Sequence, residues 1–392
     1  MKLFVIGYGQ AGGRIIDLFV EYDKRTGQHS IERAMCINTA KADLMGVKNI
    51  PMEDRVLIGQ SIVKGHGVGA DNELGAKIAT DEIYTVQSAI DKRGTHKIDA
   101  FLIVAGLGGG TGSGGAPVLA RRLKTLYSEP VYALGLLPAK EEGGLYTLNA
   151  ARSFMTLAKE VDNLFLFDNE LWKKEGETLK DAYASMNDEV VRRFGILIGA
   201  GERFERSGVG QLVVDTSEII NTLKGGGISV IGYAREELPI KSGSLSNIIS
   251  SLFKRKKASI ETLDATTRIT SLVRRAVMGR LTLQCDVGSA ERALVLLAGP
   301  PDELNRKGID RAKVWIEDMI DGTEVRGGDY PIPTSRYVAA VVLLSGVSEI
   351  PRVKELQKLA VDAQDSIKEV ANKSGKKYDK LMDTDKSLKP LF

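Results

Sequence analysis

The chain has 392 residues, 43% hydrophobic and 27% charged, with a formal net charge of +3; this allows two or three domains with real cores and excludes disorder of the whole chain. So mild a charge balance gives no support for direct nucleic-acid binding. Cys36 and Cys285 are too few for a disulfide framework or a cysteine zinc site, and His29, His66 and His96 form no ligand or triad pattern, so no protein-built metal site is expected.

In chain order, Leu3–Ile6 is an apolar run followed by a glycine turn and a helical pattern through Ile15, Ile16, Phe19 and Val20. Ala34–Ile37 and Phe101–Ala105 repeat the strand signal, and glycines then lead to a helix at Ala116–Leu126. Val131–Leu137 and Leu164–Phe167 continue the series. Such alternation predicts an α/β fold with a Rossmann-like, doubly wound parallel sheet that holds its ligand at the strand C-termini. From Lys180 to Phe204 apolar residues recur every three to four positions, which predicts a long central helix. A helix at Asp215–Leu223 and a strand at Ile228–Tyr233 follow. Lys241–Ser259 reads as a long loop, Glu261–Met278 and Ala312–Ile320 as helices, Leu294–Ala298 and Tyr337–Leu344 as strands: a second, α+β domain. The division expected is 1–180, central helix 181–207, second domain 208–367 and a charged tail or frayed helix 368–392. No apolar run approaches the roughly 20 residues of a membrane helix, and Lys2–Gly7 reads as a strand rather than a leader. A cytoplasmic protein that reaches membranes at most through partners is expected.

Two glycine loops carry the chemistry. Gly7-Tyr-Gly9-Gln-Ala-Gly12-Gly13 lets backbone N–H groups approach a phosphate at a helix N-terminus. As a dinucleotide motif it should be followed by an acidic residue after the second strand, but that strand ends Cys36-Ile37-Asn38-Thr39, which disfavours an NAD-binding oxidoreductase. Gly106-Leu-Gly108-Gly-Gly-Thr111-Gly-Ser-Gly-Gly115 holds seven glycines in ten residues, a concentration that requires bare backbone. An anion cradle with the Thr111 hydroxyl fits a triphosphate. No Walker lysine motif is present, so phosphate charge must be met by backbone dipoles and a divalent cation, Mg²⁺.

Gly108-Gly-Gly-Thr-Gly-Ser-Gly114 resembles the signature of the tubulin/FtsZ superfamily. Gly9-Gln10-Ala11-Gly12 is similar to the first tubulin loop, and Gly67-Val-Gly69-Ala70-Asp71-Asn72-Glu73 to the third phosphate loop. The mixture resembles the archaeal CetZ group. The resemblance implies a GTP-binding domain in which Gly9, Gln10, Ala11, Gly12, Gly13, Arg14, Gly69, Ala70, Gly109, Gly110, Thr111 and Gly112 surround the phosphates, and Asn38 also contributes. It further implies that Glu142 contacts the ribose, that Asn169 and Asn187 read the guanine edge and that Tyr183 stacks on the base. Without the family, Asn187 and Tyr183 read as a cap and a core aromatic. Tyr146 stands where FtsZ has an arginine.

Asp215-Thr-Ser-Glu218 has the spacing of a helix capping box, with both carboxylates on one face of a first turn. By resemblance the same pair enters the nucleotide site of the next subunit and orients the water that attacks the γ-phosphate; Val213 stands where the family has asparagine. The resemblance thus implies a Mg²⁺-dependent GTPase, activated by head-to-tail self-assembly into cytoskeletal filaments, with the loop 241–259 in lateral contacts. Control of cell shape is the leading expectation; a division ring or a DNA-segregating filament are the alternatives.

Overall fold

A computed structural model describes residues 1–173, 176, 178–200, 214–238, 254–322 and 324–382, with the backbone alone at 179–180, 254–264, 371–372 and 374–382. The strands are β1 (Leu3–Tyr8), β2 (Ile31–Asn38), β3 (Arg55–Leu57), β4 (Ala100–Gly106), β5 (Val131–Leu137), β6 (Asn163–Asp168), β7 (Ile228–Glu237), β8 (Arg292–Gly299), β9 (Glu324–Pro331) and β10 (Tyr337–Val347). The helices are α1 (Gly9–Thr26), α2 (Lys41–Met45), α3 (Gln60–Val63), α4 (Asn72–Asp81), α5 (Ile83–Arg93), α6 (Thr111–Leu126), α7 (Gly144–Glu160), α8 (Asn169–Trp172), α9 (Leu179–Gly199), α10 (Thr216–Leu223), α11 (Lys254–Met278), α12 (Arg306–Glu317) and α13 (Pro351–Met382).

All ten strands form one sheet, in the order β3-β2-β1-β4-β5-β6-β7-β10-β8-β9. β1 to β6 pair in parallel, β7 joins β6 in parallel, and β10 lies antiparallel to both β7 and β8. The pleat sorts side chains to two cores. Phe4, Ile6, Phe101 and Ile103 pack with α4 to α7, while Leu3, Val5, Leu102 and Val104 pack with α1 and α9. Strands buried on both faces must be apolar throughout, which is why they read as continuous runs.

Three expectations are corrected. α6 begins at Thr111 rather than near Ala116, so half of the glycine-rich loop is helix and Pro117 sits inside it. Proline cannot donate to the carbonyl one turn back, that of Ser113; the Ser153 hydroxyl donates to it instead, at 2.8 Å. Gly114 and Gly115 are required by approach: a Cβ at Gly115 would lie 2.1 Å from the Tyr8 ring, and one at Gly114 2.3 Å from the Asn72 carbonyl. Second, residues 351–382 form one helix that runs through the expected boundary at 367/368, the helical alternative of the two given for that end. Third, residues 254–259 belong to α11 rather than to a loop. The rest of the loop (241–253), Val213, residues 201–207 of the central stretch and residues 383–392 lie outside the described residues. Among the described residues no helix is long and apolar enough to cross a membrane, and no group of three potential metal-ligating side chains occurs.

Candidate functional site

β1 and β4 are neighbours whose connections leave to opposite sides, and the crevice beyond their C-terminal ends is where such sheets bind ligands. A cleft of about 580 Å³ opens there, lined by Tyr8, Gly9, Gln10, Ala11, Arg14, Asn38, Gly69, Ala70, Gly109, Gly110, Thr111 and Gly112 at one end. Glu142, Tyr146, Asn169, Tyr183 and Asn187 line the other. Two long helices, α1 and α6, start at this cleft with neither a capping side chain nor an acid in the first turn. α4, α9, α10 and α12, by contrast, carry caps from Asp71, Thr178, Asp215 and Asn305. Two uncapped N-termini leave orphan N–H donors aimed at one space, an anion site by construction.

Gly12 and Gly13, expected at the phosphates, do not line the cleft. A Cβ on Gly12 would lie 2.0 Å from the Val104 carbonyl, so this glycine lets α1 close onto β4. Ala70 is held in the left-handed region at φ 62° beside Gly69 at 59°. The buried Asn149 amide, on α7, donates to the carbonyls of Ala70 (2.7 Å) and Gly108 (3.0 Å) and so ties two cleft loops together. Thr39 and Thr111 share a hydroxyl hydrogen bond at 2.7 Å.

Asp43 and Asn149 were missed in the sequence. Asp43 accepts from Gln10 Nε2 (2.9 Å) and Asn38 Nδ2 (3.2 Å) and lines the cleft. It lies five residues past Asn38, beyond the place where the dinucleotide motif has its acid. Asn149 sits on a helix whose signal, Leu148, Ala151, Phe154 and Leu157 after Gly143-Gly144, was there to be found.

At the far end, Glu142 accepts from the Ala139 N–H at 2.7 Å. Burial pushes its carboxyl above the usual range, against the pull of that donation and one from the Asn169 side chain. Burial, then Glu142 and Glu141, raise the Tyr183 hydroxyl, while Arg14 lowers it. Asn187 follows Tyr183 by one turn of α9, so the two share a face.

Asp215 and Glu218 lie elsewhere. Asp215 Oδ1 accepts from the Glu218 N–H (3.0 Å), and Glu218 Oε2 accepts from the Asp215 N–H (3.3 Å), a closed capping box. Hydrogen bonds from Ser217 and Glu218 hold the Asp215 carboxyl below its usual range, whereas burial raises Glu218; Arg326 lowers both. Arg326 is the third residue of β9, and through the pairings β9–β8–β10–β7–β6 the start of β9 shares an edge with the start of β6. Asn163, the first residue of β6, donates to the carbonyl of Leu223 at the end of α10. The acidic pair thus occupies the sheet edge opposite the cleft.

The sheet, its switch-point cleft and the paired uncapped helices define the tubulin/FtsZ class of fold. Residues 2–176 match the model of the Tubulin/FtsZ family GTPase domain, and residues 176–362 that of the tubulin-like CetZ C-terminal domain. The chain belongs to the CetZ family of tubulin-like cytoskeletal proteins. It is 57% identical over 372 residues to the tubulin-like protein CetZ1 of Haloferax volcanii, covering 94% of each chain. Among solved structures, the GDP-bound monomer of that CetZ1 is similar with TM-score 0.82 and 56% identity, over 93% of this chain and 100% of the other. The GTPγS-bound protofilament of Haloferax volcanii CetZ2 is similar with TM-score 0.82 and 42% identity, over 94% and 100%.

Proposed function

We propose that the cleft binds GTP and that the chain hydrolyses it to GDP and phosphate while polymerising head to tail into a cytoskeletal filament that controls cell shape. One observation carries this reading: the anion-binding cleft and the capped acidic pair lie at opposite edges of one sheet. A strand of six residues spans roughly 20 Å, so Asp215 and Glu218 have no access to a nucleotide in their own cleft. A second copy stacked in the same orientation would bring them to it. Such a contact is heterologous and gives an open filament. The GDP-bound monomer and GTPγS-bound protofilament of the two relatives support the assignment.

In this reading the N–H groups of Gly9–Ala11 and Gly109–Gly112, with Gly69–Ala70, receive the phosphates, and Arg14 adds a permanent cation. Gly12 and Gly13 act through packing. Glu142 holds the ribose, Asn169 and Asn187 offer donor and acceptor together to the guanine edge, and Tyr183 stacks on the base. The Asp43 carboxylate beside the Gln10 amide fits a hydrated Mg²⁺, which would neutralise phosphate charge. Asp215 and Glu218 orient the attacking water, and their opposite shifts divide an ionised carboxylate from one that holds its proton more readily. The segment 241–259, whose last six residues open α11, makes lateral contacts, so deletion of 241–253 should leave single filaments; unchanged sheets of filaments would refute that part.

The test is right-angle light scattering with Mg²⁺ and GTP, GDP, ATP or NAD. Scattering should rise with GTP alone and decay as it is consumed. Asp215→Ala and Glu218→Ala should still assemble and then fail to disassemble. GTP that neither binds nor drives assembly would overturn the reading.

A further inference from the structure

Arg352 and Asp168 form an ion pair in which both side chains are more than nine-tenths buried, with exposures of 7% and 2%. Arg352 is the second residue of α13, in the half of the chain that does not form the phosphate end of the cleft. Its Nε approaches the two Asp168 carboxylate oxygens at 3.3 and 3.2 Å, and its Nη2 donates to the Pro138 carbonyl at 3.0 Å. Its Nη1 reaches Glu355 at 3.1 Å, and Glu355 in turn pairs with Lys140 at 2.6 Å.

These partners are the exits of two neighbouring strands. Pro138 follows β5 and lines the cleft, four residues before Glu142; Asp168 ends β6, immediately before Asn169. Asp168 also caps α8 by accepting from the Glu170 N–H at 3.2 Å, and Glu170 accepts from the Lys140 N–H at 2.9 Å. One guanidinium therefore fixes the relative position of the two loops that carry Glu142 and Asn169, both of which line the cleft.

Packing does not require charge here. Apolar side chains of similar volume commonly hold a core as well as or better than a buried ion pair, because both charges must be stripped of water. What the pair adds is direction, since a planar, forked cation fixes carboxylate and carbonyl at set angles. Groups that read a ligand edge must be held to a fraction of an ångström by a supporting layer.

We propose that Arg352 is a positioning residue for base recognition: through Asp168 and Pro138 it holds Asn169, against the loop that keeps Glu142 at the ribose, in the register that selects guanine over a purine lacking the exocyclic amino group. This rests on the guanine-nucleotide reading of the cleft. The test is calorimetric titration of the full chain with GDP and with inosine diphosphate, for the wild type, Arg352→Met, Arg352→Lys and the double variant Asp168→Asn/Arg352→Met. The double variant leaves no lone buried charge and so keeps the fold where Arg352→Met does not. Loss of orientation should weaken GDP by about tenfold and inosine diphosphate far less, so that the preference narrows by about that factor. Arg352→Lys, which keeps a charged donor for Asp168 but loses the planar fork that also reaches Pro138, should keep the fold and recover only a minor part of the preference. A purely structural role would move the melting temperature and leave the GDP-to-inosine-diphosphate ratio at its wild-type value in the folded variants; that result overturns the proposal. A wild-type chain that binds neither nucleotide overturns instead the reading on which the proposal rests.

Discussion

Asp215 caps α10 and, in the proposed reading, also orients the attacking water; substitution separates the two. Asparagine at this position keeps an acceptor for the Glu218 N–H, whereas alanine removes the cap and should cost about 1 kcal/mol of stability. Asp215→Asn should therefore melt near the wild-type temperature while GTP turnover in filaments falls as far as in Asp215→Ala; retained turnover would remove the carboxylate from the chemistry. Because the folded state lowers this carboxyl, its contribution to stability is present above the usual aspartate range and is lost as pH falls through the lowered folded value. Asp215→Asn should flatten that part of the stability curve, as melts across pH would show. Asn149→Ala strips donors from two carbonyls of the cleft loops and should cost about 1–3 kcal/mol, with weaker nucleotide binding; unchanged affinity would show that Ala70 holds its conformation unaided. Residues of the first kind were legible because Asp215 and Glu218 lie three apart on one turn. Asn149, Asp43 and Arg352 were not, since the contacts that tie them to the cleft span 79, 33 and 184 positions of sequence, and the local Asn38–Asp43 bond belongs to no motif.

Among the elements, β1, β4, β5 and β6 were readable because strands buried on both faces must be apolar without interruption. α6 was misplaced because glycine and proline argue against helix, and local propensity loses to packing wherever only bare backbone fits. The fit is testable. Gly115→Ala puts a methyl group against the Tyr8 ring and should destabilise by about 3 kcal/mol, with part of the loss recovered by adding Tyr8→Leu; an unaltered melt would deny the close approach. Ser153→Ala leaves the Ser113 carbonyl unpaired beside Pro117 and should cost about 1–3 kcal/mol. The C-terminal part of α13 was legible only as a charged tail or frayed helix because of its many lysines and aspartates; the helix in fact starts at Pro351, with Leu356 and Ala360 buried at helical spacing.

At the scale of the whole molecule, one continuous sheet joins the cleft at one edge to the acidic pair at the other. The glycine loops made the cleft legible; the distance from it to Asp215 was not, because no sequence spacing reports which edge of a sheet a helix caps. In the proposed head-to-tail stacking the acidic pair of one copy meets the cleft of the next, and such a heterologous contact repeats into an open filament. In cells, expression of Glu218→Ala should freeze filaments and alter cell shape with division proceeding; arrested division in cells of normal shape would favour the division-ring alternative. The most direct measurement is GTP turnover per chain across a series of protein concentrations, with light scattering followed in the same samples. If the acids of one copy serve the nucleotide of the next, turnover per chain stays near zero until scattering appears and rises with it. Turnover per chain that is constant from dilute, unassembled protein upward would contradict the account.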